Sequence, residues 1–92
     1  MTEQTKIRRD PQWLSAWVGN ELMMMNGTSG FYVSASQTGG RIWELLEQPQ
    51  TVAEVILRLS SEYEAPEQQV REEAFAFLER MIEEGVLHVE PS

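Results

Sequence analysis

Few residues in this chain carry the side chains that catalysis or metal binding needs. His88 is the single histidine among 92 residues, and cysteine is absent. Without thiols there is no disulfide framework, no thiolate zinc site, no iron–sulfur cluster and no cysteine nucleophile. Only Glu90 lies near His88 in sequence, too few donors for a first-row metal, so His88 reads as an ordinary tail residue. A serine nucleophile would need a histidine base and an acid to orient it, and one histidine near the end of the sequence does not supply that set. Glu72/Glu73 and Glu83/Glu84 are paired carboxylates on the polar side of one helical stretch. Acid–base pairs need contrasting surroundings to separate their pKa values, so these read as solubilising charge. The glycines of residues 27–30 (GTSG) and 38–40 (TGG) lack the strand, GxxxxGK turn and helix of a phosphate loop. The sequence argues against an enzyme, and no metal or cofactor is expected.

The elements that could position a binding site fit one small domain. At this length folding buries only about 60–65% of the surface the unfolded chain exposes, so the core is thin. Hydrophobic residues make up 41% of the chain, enough for a globular fold. The net charge is −8, and Lys6, Arg8 and Arg9 face only Glu3 in the first nine residues. The remaining body is therefore strongly acidic and repels phosphate, which argues against nucleic acid. No apolar run approaches the roughly 18 residues of a membrane span, and the polar start has no signal-peptide core. A cytoplasmic protein without membrane contact is the expectation.

Residues 1–12 are polar, end in Asp10-Pro11 and read as a mobile lead-in, with residues 90–92 as a tail. Between them, residues 13–89 form the expected domain. From Trp13 to Ser36 the period is that of strands. Gly19-Asn20 between WLSAWV and ELMMMN is a two-residue hairpin signal, which pairs residue 17 with 22 and 15 with 24. One face then carries Trp13, Trp17, Leu22 and Met24; the other carries Leu14, Ala16, Val18, Met23 and Met25. Both faces are apolar, more than one half-buried sheet requires. A third strand, FYVSAS, completes a meander.

From Thr38 the period becomes helical. Thr38 is the expected cap of a short helix bearing Ile42, Leu45 and Leu46, and Pro49 follows its end. Gly39-Gly40 is costly within a helix, at about 1 kcal/mol per glycine relative to alanine. The pair makes sense if another backbone approaches closely there. Thr51 and Glu54 have the spacing of a capping box, and Val52, Val55, Ile56, Leu59 and Tyr63 form the stripe behind it. Pro66 suits the first turn of a third helix and Gly85 its C-terminal stop. Residues 86–89 are a short strand or an extended tail.

The third helix has an unusually wide apolar side. Advancing about 100° per residue from Val70, the residues Val70, Ala74, Phe77 and Met81 cluster between about −20° and +40°. Arg71, Phe75, Leu78 and Ile82 fill the sector from about 80° to 140°. Two readings are open: both stripes are core, or Arg71-Phe75-Leu78-Ile82 forms one wall of a groove. The opposite wall would then be the third strand, whose free edge Ser34 and Ser36 do little to protect. An open strand edge beside an apolar helix face can bind an extended peptide as an added strand. Among the methionines, core filling is the first expectation. Trp13 and Trp17 are candidates for a contact with a partner enzyme or a twin subunit.

The order and spacing of these segments resemble the PqqD-like domains, recognition elements for precursors of ribosomally made, post-translationally modified peptides. The resemblance rests on residues 35–46 (ASQTGGRIWELL), then 51–55 (TVAEV), then Phe77-Leu78 through Gly85-Val86-Leu87, and it covers about residues 13 to 88. It implies an α+β, winged-helix-like fold, a three-stranded antiparallel meander followed by three helices. It also implies a non-catalytic adaptor that binds a precursor's leader region as a fourth strand between the third strand and the third helix. The implied contacts are Phe31, Tyr32, Val33, Ser34 and Ala35 opposite Arg71, Ala74, Phe75, Leu78 and Ile82. Two departures stand out. Ala35-Ser36 replaces the family's Leu-Asn, and the loop Glu47-Gln48-Pro49-Gln50 lacks its usual glycine.

The chain most resembles the standalone leader-binding proteins of split lasso-peptide systems, which implies a separate leader peptidase and an ATP-dependent cyclase as partners. A PqqD-type chaperone for a radical SAM enzyme is the alternative within the family. Outside it stand a winged-helix nucleic-acid binder and a dimerisation module, with a monomer or weak homodimer expected. The third helix opposes Arg71 and Arg80 with six glutamates, which disfavours the nucleic-acid reading.

Overall fold

The computed structural model describes residues 1–91. Two three-stranded antiparallel sheets flank three helices, in the order β1 (Lys6–Arg9), β2 (Trp13–Val18), β3 (Glu21–Asn26), β4 (Tyr32–Ala35), α1 (Gln37–Leu45), β5 (Gln50–Thr51), α2 (Val52–Glu62), α3 (Glu67–Glu83) and β6 (Leu87–Val89). The expected α+β meander and three helices are present, and a second sheet accompanies them.

The meander runs β2-β3-β4. Its hairpin pairs Trp17 with Leu22 and Ser15 with Met24, the register the Gly19-Asn20 turn dictates. Gly19 sits at φ +63°, a conformation that glycine enters without a side-chain clash. The inner face places Leu22 and Met24 in the core, whereas Leu14, Val18 and Met25 on the outer face remain exposed. The β3–β4 loop is held by Asn26, whose Oδ1 accepts from the amides of Thr28 and Ser29, both at 2.8 Å.

The polar lead-in is corrected by the second sheet, ordered β5-β1-β6. Lys6 pairs with Thr51 and Ile7 with Gln50 on one side; Arg8 pairs with His88 and Arg9 with Leu87 on the other. Ile7 is fully buried, so one apolar side chain anchors a strand that otherwise reads as charge. Arg9 is bound within the fold as well: its guanidinium lies 4.3 Å from the Trp43 ring centroid and donates to the Trp43 carbonyl. Burial pulls its pKa below the usual arginine value, against the opposing effect of Glu47 and Glu44. His88 is not a bare tail residue, because its Nε2 lies 2.6 Å from Asp10 Oδ2 and ties β6 to the end of β1. Glu90 likewise donates its amide to Lys6 at 2.8 Å, which takes it out of the expected tail; Ser92 of that tail lies outside the described residues.

The helices begin where local chemistry places them. Thr51 and Glu54 form the full capping box of α2, at 3.1 and 2.8 Å. The cap of α1 is Ser36 rather than Thr38, with Ser36 Oγ accepting from Gly39 at 3.3 Å. Gly85 ends α3 at φ +77°. The α1 glycines are approached by aromatic rings and not by a backbone. A Cβ on Gly39 would lie 2.6 Å from the Phe77 ring, and one on Gly40 would run into the Trp17 ring and lie 3.1 Å from Leu22 Cβ. No helix among the described residues is long and apolar enough to cross a membrane.

Candidate peptide-binding cleft

The free edge of the meander follows from its ladder. Asn26 N donates to Phe31 O at 2.9 Å, and the register continues with Met24 opposite Val33 and Leu22 opposite Ala35. Antiparallel ladders alternate between hydrogen-bonded and non-bonded pairs. Phe31, Val33 and Ala35 therefore turn their amides and carbonyls toward β3, while Tyr32 and Ser34 turn theirs outward. Among the described residues β4 has no second neighbour in its sheet, and it carries no charge, proline or bulge that would blunt the edge. Phe31 and Tyr32 at its start are about 70% exposed.

The helix opposite this edge is α3, but the wall it presents differs from the expected one. Val70, Ala74, Leu78 and Met81 are all fully or almost fully buried and form the core stripe. Leu78 and Ala74 therefore belong to the core and not to an open groove wall. On one flank of that stripe, at about 100° to 140° from Val70, lie Arg71, Ile82 and Phe75. The N-terminal segment closes this flank at Arg71, whose guanidinium pairs with Glu3 at 2.5 Å and Glu67 at 3.3 Å. Phe75 and Ile82 are half-buried against the core. The flank that meets β4 is the other one, at about −20° to −60°, and it carries Phe77, Glu84 and Glu73.

Two open hollows mark this second flank. One, of about 320 Å³, lies between the start of α1 and α3, with Ser36, Thr38, Gly39 and Ile42 on one side and Glu73, Ala76 and Phe77 on the other. The other, of about 250 Å³, is lined by Trp13, Phe31, Tyr32, Val33 and Glu84. They sit at opposite ends of β4, so β4 and α3 form a cleft and run in opposite directions along it. α3 packs closely on α2 and β6 and stands off from β4, which leaves space at the strand's edge.

The structure thus brings Phe31 through Ala35 to the cleft but leaves Arg71, Phe75 and Ile82 on the far flank. It adds Glu73, Phe77 and Glu84, which sequence periodicity alone assigns to the core stripe or the solvated face. The two tryptophans named as candidates for a partner contact differ in setting. Trp13 is 8% exposed and helps floor a hollow, while the half-exposed Trp17 lies against Gly40 and donates to Glu44 at 3.3 Å. The arrangement offers backbone donors and acceptors, apolar hollows and carboxylates, a chemistry of binding. Among the described residues no group of histidines and carboxylates is placed to hold a metal ion.

Comparison with known proteins gives one family and two similar folds. The family described as "Coenzyme PQQ synthesis protein D (PqqD)" matches residues 21–87. A structure described as "TbiB1 in Complex with the TbiA(beta) Leader Peptide" superposes at TM-score 0.78 and 22% identity, covering 92% of this chain and 99% of that one. A second, "Lasso peptide synthetase B1 complexed with the leader peptide", does so at TM-score 0.74 and 25% identity, covering 88% and 95%. No curated protein matches the chain.

Proposed function

The chain belongs to the PqqD family, and on that premise we propose that it is a non-catalytic adaptor for the leader region of a ribosomally made precursor peptide. The leader adds as a strand to the outer edge of β4 and lies in the cleft against α3. The single observation that carries this reading is the uncovered edge. Tyr32 and Ser34 direct their backbone groups into a space that α3 walls but does not fill. The likeness to TbiB1 and to a lasso peptide synthetase B1, each in complex with a leader peptide, supports the same occupant.

A leader that is disordered in solution orders on binding, at a cost of about 2–5 kcal/mol. Backbone pairing and the filling of the two hollows offset it, and micromolar affinity requires a net of about −8.2 kcal/mol. The bound domain then raises the local concentration of the precursor at the enzyme it docks. For this chain that enzyme is a separate leader peptidase of a lasso-peptide pathway, followed by an ATP-dependent cyclase. The family description favours a second reading of the partner alone, a radical SAM enzyme of a quinone-cofactor type pathway. Titrating the chain with each candidate enzyme in the presence of leader separates the two.

The test of the binding mode is Ser34→Pro. Proline is tolerated on an open strand edge and removes the outward amide. The expected result is an unchanged far-ultraviolet circular dichroism spectrum and at least a tenfold loss of affinity for the synthetic leader of the neighbouring precursor gene. Unchanged affinity in the folded variant removes the added-strand reading.

A further inference from the structure

Building on the cleft reading above, we infer that the hollow at the start of β4 is a subsite for a cationic side chain. The strand taken up carries lysine or arginine there and an aliphatic or aromatic residue four positions away. The spacing follows from the sheet. Residues of an added strand that lie opposite Tyr32 and Ser34 share their outer face, so those opposite Phe31, Val33 and Ala35 point inward toward α3. Phe31 and Ala35 are about 13 Å apart along the strand. Glu84 and Glu73, one at each hollow, are about 16 Å apart along the helix. The two hollows therefore meet inward positions four residues apart.

Their chemistry differs. Two aromatic residues, Trp13 and Phe31, line the first hollow together with Glu84, and Tyr32 contributes at the strand edge. Aromatic faces and a carboxylate both attract an ammonium or guanidinium group, and the long stem of lysine or arginine suits the apolar wall. The one cation nearby is Arg80, 3.9 Å from Glu84 with both side chains about half exposed, a contact that an incoming cation displaces at little cost. Arg9, Arg41, Arg58 and Arg71 are held by Trp43, Glu62, Glu62 and Glu3, while Lys6 pairs with Glu90 and Arg8 donates to the Arg9 carbonyl, so none of these six cations is drawn to Glu84. The second hollow also has one carboxylate, Glu73, but a single aromatic residue, Phe77, among Gly39, Ile42 and Ala76, and takes the apolar residue. With a net charge of −8, the surrounding surface disfavours acidic strands.

Selection of phage-displayed random peptides of about twelve residues against the full chain tests this. The expected enriched set carries lysine or arginine four positions from an apolar residue, in either chain direction. Glu84→Lys, at an exposed helix end, is expected to fold and to abolish the basic preference. An enriched peptide resynthesised with glutamine for its cation is expected to bind about three- to tenfold more weakly. Enrichment that disappears with Ser34→Pro but shows no basic preference, or a basic preference unmoved by Glu84→Lys, overturns the cationic subsite and leaves the cleft reading standing. Enrichment that survives Ser34→Pro in the folded variant, or no enrichment at all, overturns both.

Discussion

The two flanks of α3 are built from similar material and meet different fates. One carries Phe75, Ile82 and Arg71 and is closed at Arg71 by Glu3 from the N-terminal segment. The other carries Phe77, Glu73 and Glu84 and faces a strand edge with nothing on it. Apolar content does not decide which flank stays open, since each has aromatic or aliphatic side chains beside charge. The decision lies with a strand elsewhere in the chain. β1 inserts between β5 and β6 and completes the sheet on the closed side, whereas β4 has no such neighbour.

The contrast is broken most severely by Leu78→Asp, in the fully buried stripe between the flanks. An unpaired carboxylate there is expected to cost at least about 5 kcal/mol, as much as the whole stability of a domain at the low end of the ordinary range. Loss of the cooperative urea transition is the readout, and a folded variant with weakened peptide binding would return Leu78 to the cleft. Next in size is Ile7→Ala, which loosens the closing strand at its only fully buried residue. A loss of about 2–4 kcal/mol in urea denaturation is expected, with peptide affinity unchanged under conditions where the protein is folded.

The sharpest comparison uses matched substitutions on the two flanks. Phe75→Ala and Phe77→Ala remove equal volume from half-buried sites, so each is expected to cost about 1–3 kcal/mol of stability. Calorimetric titration with leader peptide is expected to separate them, with at least a tenfold loss for Phe77→Ala and less than about twofold for Phe75→Ala. Equal losses would erase the distinction between the flanks.

The smallest effect concerns the fastening of the closed side. The hydrogen bond from His88 holds the Asp10 carboxyl below its ordinary pKa, assisted by the Gln12 amide. A carboxylate lowered in the folded state stabilises fully above the ordinary carboxylate range and ceases to do so as pH falls through its lowered value. Stability is thus expected to decline on acidification below about pH 4, and Asp10→Asn to flatten that limb slightly in thermal melts across pH. Identical limbs in both proteins would show that the contact contributes nothing.

What the sequence reveals follows the range of the interactions involved. The hairpin register depends on Gly19-Asn20 and the start of α2 on Thr51 and Glu54, signals contained within a few residues. β1 escapes such a reading because its partners lie at residues 50–51 and 87–89, and Ile7 is the only apolar residue in KIRR. Once that strand is missed, the closed flank of α3 looks available, and Arg71, Phe75 and Ile82 look like a groove wall. The strand side of the cleft, Phe31 to Ala35, is legible because a meander must end in an edge. The helix side is not, since a helical wheel gives the angles between residues but not the direction of the sheet.

Gly39 and Gly40 place two aromatic rings on consecutive residues of α1, Phe77 from the helix wall and Trp17 from the far strand of the meander. The helix therefore acts as a gauge block between the two sides of the cleft. Its thickness at residue 39 sets how far Phe77 stands from Ala35, whose Cβ lies 3.3 Å from where a Gly39 Cβ would sit. A single methyl group at that position would press on Phe77 and, because Gly39 also lines the second hollow, reshape the place where the guest's apolar residue sits. Selectivity at that end of the cleft therefore rests on the bare backbone of residue 39 as much as on the side chains around it.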